Sequence, residues 1–355
     1  MSATPLYVSA AGMACPLGLN AESAGAALRA RMNRFKRSGY HDDDGAPMVL
    51  SELSTLAPEL RREERVLGLL GMAVAGAVRG LEEAELAHLP LLVGTSTPER
   101  PGGVPEVFPR ALEHLQHAHG LRLEGTLSRS LAQGNTAGLR SLAEARLLLA
   151  RHPRLPGCLV AAVDSFINAS SLNGLLRQGR LLRPDNSDGV IPGEAAACLL
   201  VTRRPRRDDA CPLRLAGLGF GQERATLHSD EPLRGLGLAQ AYREALAEGG
   251  VDVAEVDFRV ADASGEGYGF KELSLALSRL LHTRRESTPL WLPAESLGET
   301  GAASGLVALA WASMALRHGY APGPRALIST SDSAGGRAAV LLRGPDTYTP
   351  RGMPG

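Results

Sequence analysis

Gly138-Leu139-Arg140-Ser141-Leu142-Ala143-Glu144-Ala145 and Gly305-Leu306-Val307-Ala308-Leu309-Ala310-Trp311-Ala312 are one pattern written twice. Gly, Leu, Leu, Ala and Ala recur in register at a constant offset of 167 residues, 138 to 305. Apolar residues spaced three and four apart make each block one face of a helix. Each helix runs into Arg/His residues and then Pro-Gly, Pro156-Gly157 in the first copy and Pro322-Gly323 in the second. An apolar strand follows, and it reaches Val163-Asp164-Ser165 in one copy and Ser331-Asp332-Ser333 in the other. Two Ala/Leu-rich helices can match by accident. A match that runs on through the turn and the strand reads as a duplicated α/β unit.

Outward from the repeat, strand-like and helix-like segments alternate. Strands are expected at 6–11, 89–94, 157–163 and 195–202, and again at 213–220, 258–263, 290–292, 326–330 and 338–343. Helices are expected at 21–31 with Asn20 as cap, and at 62–83, 107–119, 135–151, 236–248, 270–282 and 301–317. This alternation predicts α/β layers on a mainly parallel sheet. Residues 34–48, 97–103 and 205–211 read as loops. The last is a hinge that divides the chain into 1–208 and 209–344, with a flexible Pro/Gly-rich tail at 345–355.

Composition removes several classes of function. Lys+Arg and Asp+Glu are both 38 in 355 residues, so no bulk basic field draws the chain to nucleic acid or anionic lipid. Lys36 and Lys271 are the lysines and every other basic residue is arginine, a bias that fits a GC-rich coding sequence. Aromatics are 4%, too few for base-stacking or glycan platforms, whereas 44% apolar residues supply a sizeable core. Cys15, Cys158, Cys198 and Cys211 form no C-x-x-C pair, so neither zinc nor a disulfide framework is expected. The opening segment has no basic region and no long apolar run, and no stretch approaches the ~20 residues of a membrane span. A cytoplasmic protein without cofactor, metal, nucleic acid or membrane is the expectation.

Five short segments, in order, resemble the β-ketoacyl-acyl-carrier-protein synthases of the thiolase-like superfamily. Val8 to Met13 with Cys15-Pro16-Leu17-Gly18 is similar to the family's opening strand and S-P-L-G turn. Gly134-Asn135-Thr136-Ala137-Gly138-Leu139 falls on the A-C-x-S-G-L nucleophile elbow. Arg183-Pro184-Asp185, Asp188-Gly189 and Gly193-Glu194-Ala195-Ala196 resemble the RPFD…RDGF…GEGA segment. Gly298-Glu299-Thr300 with Ala302-Ala303-Ser304-Gly305 falls on G-H-x-x-G-A-A-G, and Ser331 to Ala338 on the closing SFGFGGTNA. The resemblance implies an α/β thiolase-like fold, two pseudo-symmetric βαβαβαββ halves in five αβαβα layers. It also implies a homodimer, or a heterodimer with a ketosynthase-like chain, and an acyl carrier protein as visitor.

The family condenses acyl chains with one cysteine and two histidines. By the resemblance these positions are Asn135, Ser264 (in Asp262-Ala263-Ser264-Gly265-Glu266-Gly267) and Glu299. The lysine before the second histidine falls on Ala294 and the phenylalanine gate on Ala334. An amide is no substitute for a thiolate nucleophile. A carboxylate where an enolate needs a donor opposes the transition state, and losing one oxyanion donor already costs ~3 kcal/mol. Three functions are therefore weighed: a non-catalytic homologue serving as scaffold, adaptor or chaperone-like accessory to an unrelated client; a chain-length-factor-like subunit of an active ketosynthase in fatty acid or polyketide synthesis; and an acyltransferase or hydrolase of altered chemistry. The first is the leading expectation.

The remaining clusters have plain readings. Asn135 suits a helix cap or a polar place in the first turn, or else a polar group in an acyl or pantetheine pocket; Ser264 with Glu299 suits a hydrogen-bonded plug, with a buried Glu299 raised in pKa. His114, His117 and His119 crowd a helix end; His114 and His117 have same-face spacing, but no further ligand is indicated. Asp42-Asp43-Asp44 reads as a solvated loop and Asp185 to Gly189 as a structural turn. Gly217-x-Gly219-x-Gly221 lies in a strand and lacks the context of a dinucleotide fingerprint, as do Gly265, Gly267 and Gly269. The arginines of 151–154 and 203–207 are candidates for docking an acidic carrier.

Overall fold

The computed structural model describes residues 4–207, 209–283 and 287–351. Residue 208, the expected boundary, and the end of the tail at 352–355 lie outside the described residues. The strands are β1 (Leu6–Ala14), β2 (Lys36–His41), β3 (Pro47–Leu50), β4 (Pro90–Thr95), β5 (Glu124–Ala132), β6 (Cys158–Ser165), β7 (Glu194–Thr202), β8 (Leu213–Gln222), β9 (Phe258–Ala261), β10 (Leu290–Trp291), β11 (Arg325–Ser331) and β12 (Gly336–Arg343). The helices are α1 (Ala21–Arg29), α2 (Arg62–Ala77), α3 (Glu83–Leu86), α4 (Arg110–His119), α5 (Ala137–Arg151), α6 (Ala169–Arg177), α7 (Leu236–Gly249), α8 (Gly267–Ser278), α9 (Ala294–Leu297) and α10 (Ser304–His318).

Ten strands form one sheet in the order β10-β9-β11-β12-β8-β1-β7-β6-β4-β5. The order is the same on both sides of its centre. From β1 the first half runs through β7, β6, β4 and β5; from β8 the second runs through β12, β11, β9 and β10. Directions match as well: the inner two pairings of each half are antiparallel and the outer two parallel. The halves join where Leu6, Tyr7 and Val8 pair antiparallel with Leu215, Arg214 and Leu213. The expected mainly parallel sheet is corrected to a mixed one, because β7 and β12 run against both neighbours. For β12 the cause is local: a tight turn from β11 permits only an antiparallel return.

Helices α5 and α10 lie between the half-sheets, while α2 covers β1, β7 and β6 from outside and α7 covers β8 and β12. Three large apolar clusters correspond to these spaces, giving the expected five layers. The duplicated Gly-Leu pairs interlock across the pseudo-two-fold. A Cβ on Gly138 would lie 2.8 Å from Leu306 Cγ, and one on Gly305 would lie 3.1 Å from Leu139 Cγ. Both leucines are fully buried, worth ~1.5–3 kcal/mol each. Gly217, Gly219 and Gly221 let α7 rest its backbone directly on β8.

Several expectations need correction. The helix expected at 62–83 stops at Ala77; the chain then turns through Gly80 (φ +85) into the single turn of α3. Residues 34–48 are not all loop, since β2 and β3 form a small hairpin. Strand β5 and helix α6 were not expected. The tail is held as far as Arg351: the Tyr348 hydroxyl donates to Ala321 O (2.9 Å) and Arg351 N to Gly319 O (2.8 Å). Asn20 does cap α1, its side chain accepting from Ser23 N at 2.8 Å. Among the described residues no helix is long and apolar enough to cross a membrane.

Candidate functional site

Each middle helix is preceded by a single 3-10 turn, Gly134–Thr136 before α5 and Gly301–Ala303 before α10. Both turns open on a glycine in the left-handed region, φ +55 and +53. The aspartates of the repeat cross over to hold them. Asp332, from the second half, accepts Asn135 N at 3.1 Å; Asp164, from the first, accepts Ala302 N at 3.0 Å. A Cβ on Gly134 would overlap the Asp332 carboxylate, and one on Gly301 that of Asp164. Asp164 also pairs with Arg100, whose guanidinium lies over the Phe166 ring at 4.2 Å.

Asn135, Ser264 and Glu299 meet at this crossing. Ser264 Oγ donates to Glu299 Oε2 at 2.6 Å. The Asn135 amide reaches Glu299 Oε1 (3.4 Å) and Asp262 Oδ2 (3.3 Å). Gly301 N donates to Glu299 (2.7 Å) and Ser331 N to Asp262 (3.0 Å). Of the places expected for Asn135 it takes the first-turn one rather than the cap: it sits inside the 3-10 turn, lines the pocket, and its side chain joins carboxylates of the second half. The Glu299 backbone is pinned by Ile191 O and Gly193 N, and Asp262 follows directly on β9. Asp262 has no signal of its own in the sequence beyond its place at the head of the Asp262–Gly267 segment.

Burial sets the electrostatics. It pushes Asp262 up to about 7, with the nearby Glu299 adding to the rise and Ser331 N–H, the Asn135 amide and Arg337 opposing it. Burial also raises Glu299, against the Ser264 hydroxyl, Gly301 N–H and Arg180. Asp164 is raised by burial too, with Arg100 as the main opposition.

These groups floor a pocket of about 400 Å³. Its guanidinium groups already have partners. Arg180 clamps Glu266 through two 2.7 Å bonds, and buried Arg337 is held by Glu272 (2.7 Å) and the Tyr268 hydroxyl (2.8 Å). The Gly265–Gly267 turn is thus pinned, by Arg180 on Glu266 and by Asp188 accepting Gly267 N at 2.6 Å. Ser264 donates to a carboxylate, and among the described residues no imidazole is hydrogen-bonded to it, although His228 lines the same pocket. The N–H groups of Asn135, Gly301 and Ala302, which an oxyanion would use, each point at a carboxylate. None of the four thiols lines the pocket; burial holds Cys15 up to about 11 and raises Cys158 and Cys198 further. Ala294 opens α9, and Ala334 lines the pocket from the β11–β12 turn.

Other candidates separate. Asp42, Asp43 and Asp44 do converge, but on the guanidinium of Arg183, which also holds Asp185. His114 faces His119, ring centroids 5.9 Å apart, while His117, which has same-face spacing with His114, is exposed. The two arginine-bearing segments lie side by side, with Arg203 donating to the carbonyls of Leu149, His152, Pro153 and Leu155 at the end of α5.

Residues 214–327 match the family described as "Beta-ketoacyl synthase, C-terminal domain". Polyketide synthases GfsA and GfsB of Streptomyces halstedii are 30% identical over 171 residues, 46% of this chain. The match spans only 2% of the length of the first and 3% of the second. Among solved structures, a ketosynthase (ApeO) in complex with its chain length factor (ApeC) from Xenorhabdus doucetiae superimposes with a TM-score of 0.72 at 17% identity, covering 96% of this chain and 98% of that one. The module 6 ketosynthase of the bacillaene synthase from Bacillus subtilis 168 gives 0.73 at 15%, covering 96% and 72%. A type II acyl-carrier protein–ketosynthase complex bound to the hexaketide (AntDE:AntF) gives 0.75 at 14%, covering 96% and 99%. At such identities the likeness carries the thiolase-like fold.

Proposed function

We propose that this chain, which belongs to the thiolase-like β-ketoacyl synthase family, is a subunit that does not condense acyl chains and acts in the cytoplasm as the chain-length-factor-like partner of a ketosynthase-like chain. The observation that carries this reading is the closed cluster of Asn135, Ser264 and Glu299. Taken as counterparts of the family's cysteine and two histidines, they supply no thiolate, no imidazole and no free oxyanion donor. Asn135 instead ties together two carboxylates, Asp262 and Glu299. Negative charge would build up where condensation requires it to be relieved.

Pairing with a ketosynthase is supported by the fold match to a ketosynthase–chain length factor complex over 96% of this chain. The adjoining arginine segments at 151–154 and 203–207 suit an acidic carrier protein. An adaptor for a client unrelated to acyl chains, the leading expectation from sequence, has no observation of its own. Altered hydrolase chemistry would find the Glu299 carboxylate beside Ser264 in place of an imidazole, but the N–H groups that would hold an oxyanion are already bonded to carboxylates.

The test is co-purification from the native host with a tag on this chain. Recovery of a ketosynthase in 1:1 ratio supports the reading. Recovery of this chain as a homodimer alone, with no ketosynthase or carrier protein, rejects it.

A further inference from the structure

The cavity of about 400 Å³ above Asn135, Ser264 and Glu299 holds more negative charge than its own cations answer. Its lining carries six carboxylates: Glu99, Asp164, Asp262, Glu266, Glu299 and Asp332. Three guanidinium groups line it as well, and each is already committed. Arg100 pairs with Asp164, Arg180 with Glu266, and Arg337 with Glu272, which stands behind the wall. Among the described residues Asp262, Glu299 and Asp332 form no ion pair and are met by neutral donors instead. Asn135 N and Ala334 N hold Asp332; Ser264 Oγ and Gly301 N hold Glu299. Asp262 is the least satisfied of them. Both of its donors, Ser331 N and the Asn135 amide, reach Oδ2, and Oδ1 has none among the described residues. Neutral donors do not cancel charge, so carboxylates kept from bulk water here lack a counter-ion that the fold does not supply. A concave wall of one sign also focuses its field on whatever enters.

We propose that this cavity binds a small molecule bearing a protonated primary amine on an aliphatic body, its ammonium seated against Asp262 Oδ1 and Glu299. The proposal rests on the reading that the site does not condense acyl chains, and it names what the site holds instead. An ammonium donates three charge-assisted hydrogen bonds, which suits carboxylates set around a space better than a bare ion does. The Asn135 amide stands between Asp262 and Glu299, 3.3 and 3.4 Å from their oxygens, and so keeps the two apart. Among the described residues the carboxylate trio close enough to share one metal ion is Asp42, Asp43 and Asp44, away from this cavity. The opposite wall is apolar: Phe166, Leu175 and Leu273 are buried there, with Leu227 beside them. An apolar wall facing a few convergent polar groups is the usual make-up of a small-molecule site, and here it fits an aliphatic body behind a cationic head. A counter-charge would also oppose the rise that burial imposes on Asp262 and Glu299.

Calorimetric titration of the full chain with n-hexylamine, 1-hexanol and hexanoate tests the head group on one constant stem. The titrations are run at pH 8, above the Asp262 pKa of about 7. Hexylamine should bind one to one with a dissociation constant of ~1 mM or tighter, the range open to so few atoms. Hexanol and hexanoate should bind at least tenfold more weakly. Asp262→Asn keeps the shape and should weaken hexylamine at least tenfold, and Glu299→Gln should weaken it in the same direction. Asp346→Asn, an exposed carboxylate in the tail, should bind as the parent does. Circular dichroism confirms that each variant is folded, and Glu299→Gln decides if Asp262→Asn is not. No saturable binding of hexylamine up to ~10 mM overturns the proposal. So does hexanol or hexanoate binding as tightly as the amine, or amine binding unchanged in both pocket variants. Co-purification with a ketosynthase involves no amine, so the failure of this proposal and the failure of the partner reading are told apart.

Discussion

Replacing Asp262 by Asn tests the electrostatic account of the pocket floor. Asn keeps the shape and an oxygen that can accept from Ser331 N and the Asn135 amide, but it removes the titration. Asp262 is raised from 3.8 to about 7 in the fold. Below pH 3.8 the folded and unfolded chains both carry the proton and no penalty exists. Between there and 7 the unfolded chain releases it while the folded chain holds it, so rising pH favours unfolding. Above 7 the penalty is complete. A shift of about three pK units corresponds to ~4 kcal/mol. Asp262 still touches the pocket and is partly screened by solvent, so ~2 kcal/mol is the working figure. Urea unfolding of parent and Asp262→Asn at pH 4.5, 6 and 8 measures it. The variant should gain ~2 kcal/mol over the parent between pH 4.5 and 8, all of it in the parent's decline. A difference that is flat with pH, or a variant less stable at pH 8, would refute the reasoning.

Further expectations concern single sites. Gly134→Ala and Gly301→Ala each place a Cβ at positive φ (~1–2 kcal/mol) and against the Asp that holds the turn, so thermal unfolding should show matched losses above ~2 kcal/mol. Arg65→Met removes the partner of Glu194, which is fully buried and bonded to Arg65 at 2.6 and 2.7 Å; the loss should be ~3–5 kcal/mol in denaturant. Leu306→Ala opens the interlock with Gly138, at ~2–5 kcal/mol by the same measurement. Asn135→Cys in a Cys211→Ser background puts a thiol beside two carboxylates; its pKa should rise, and iodoacetamide should label it at pH 7.5 at least tenfold more slowly than a free cysteine of pKa ~8.5.

What could be read from sequence follows from what lies close along the chain. The Gly-Leu repeat was legible because one helix face, one turn and one strand recur together, and the interlock of Gly138 with Leu306 is its physical meaning. Strand β5 leaves little trace in the sequence because Glu124–Ala132 is an edge strand, paired among the described residues to β4 alone and half exposed, so its residues carry no apolar run. Helix α6 is nine residues with three buried positions, and its clearest signal is a cap, Asn168 accepting from Ser171 N. The β2–β3 hairpin is almost wholly exposed along β2. In the site, the resemblance named Asn135, Ser264 and Glu299, and the fold brings these three side chains into contact. The crossing of Asp164 and Asp332 to the opposite turns needed the pseudo-two-fold in three dimensions. The sequence held a trace of it, since Gly134 with Gly301 and Asp164 with Asp332 keep nearly the same offset as the repeat. The Arg180–Glu266 clamp joins residues 86 positions apart with no local pattern to mark it.

The proposed non-condensing role predicts that the chain takes up no acyl group at the Asn135, Ser264 and Glu299 cluster. Incubating the purified protein with an acyl-carrier-protein thioester and weighing it intact measures this directly. The account predicts an unchanged mass and no decarboxylation of malonyl-carrier protein. A stoichiometric acyl adduct that maps to Ser264 or Asn135 would contradict it.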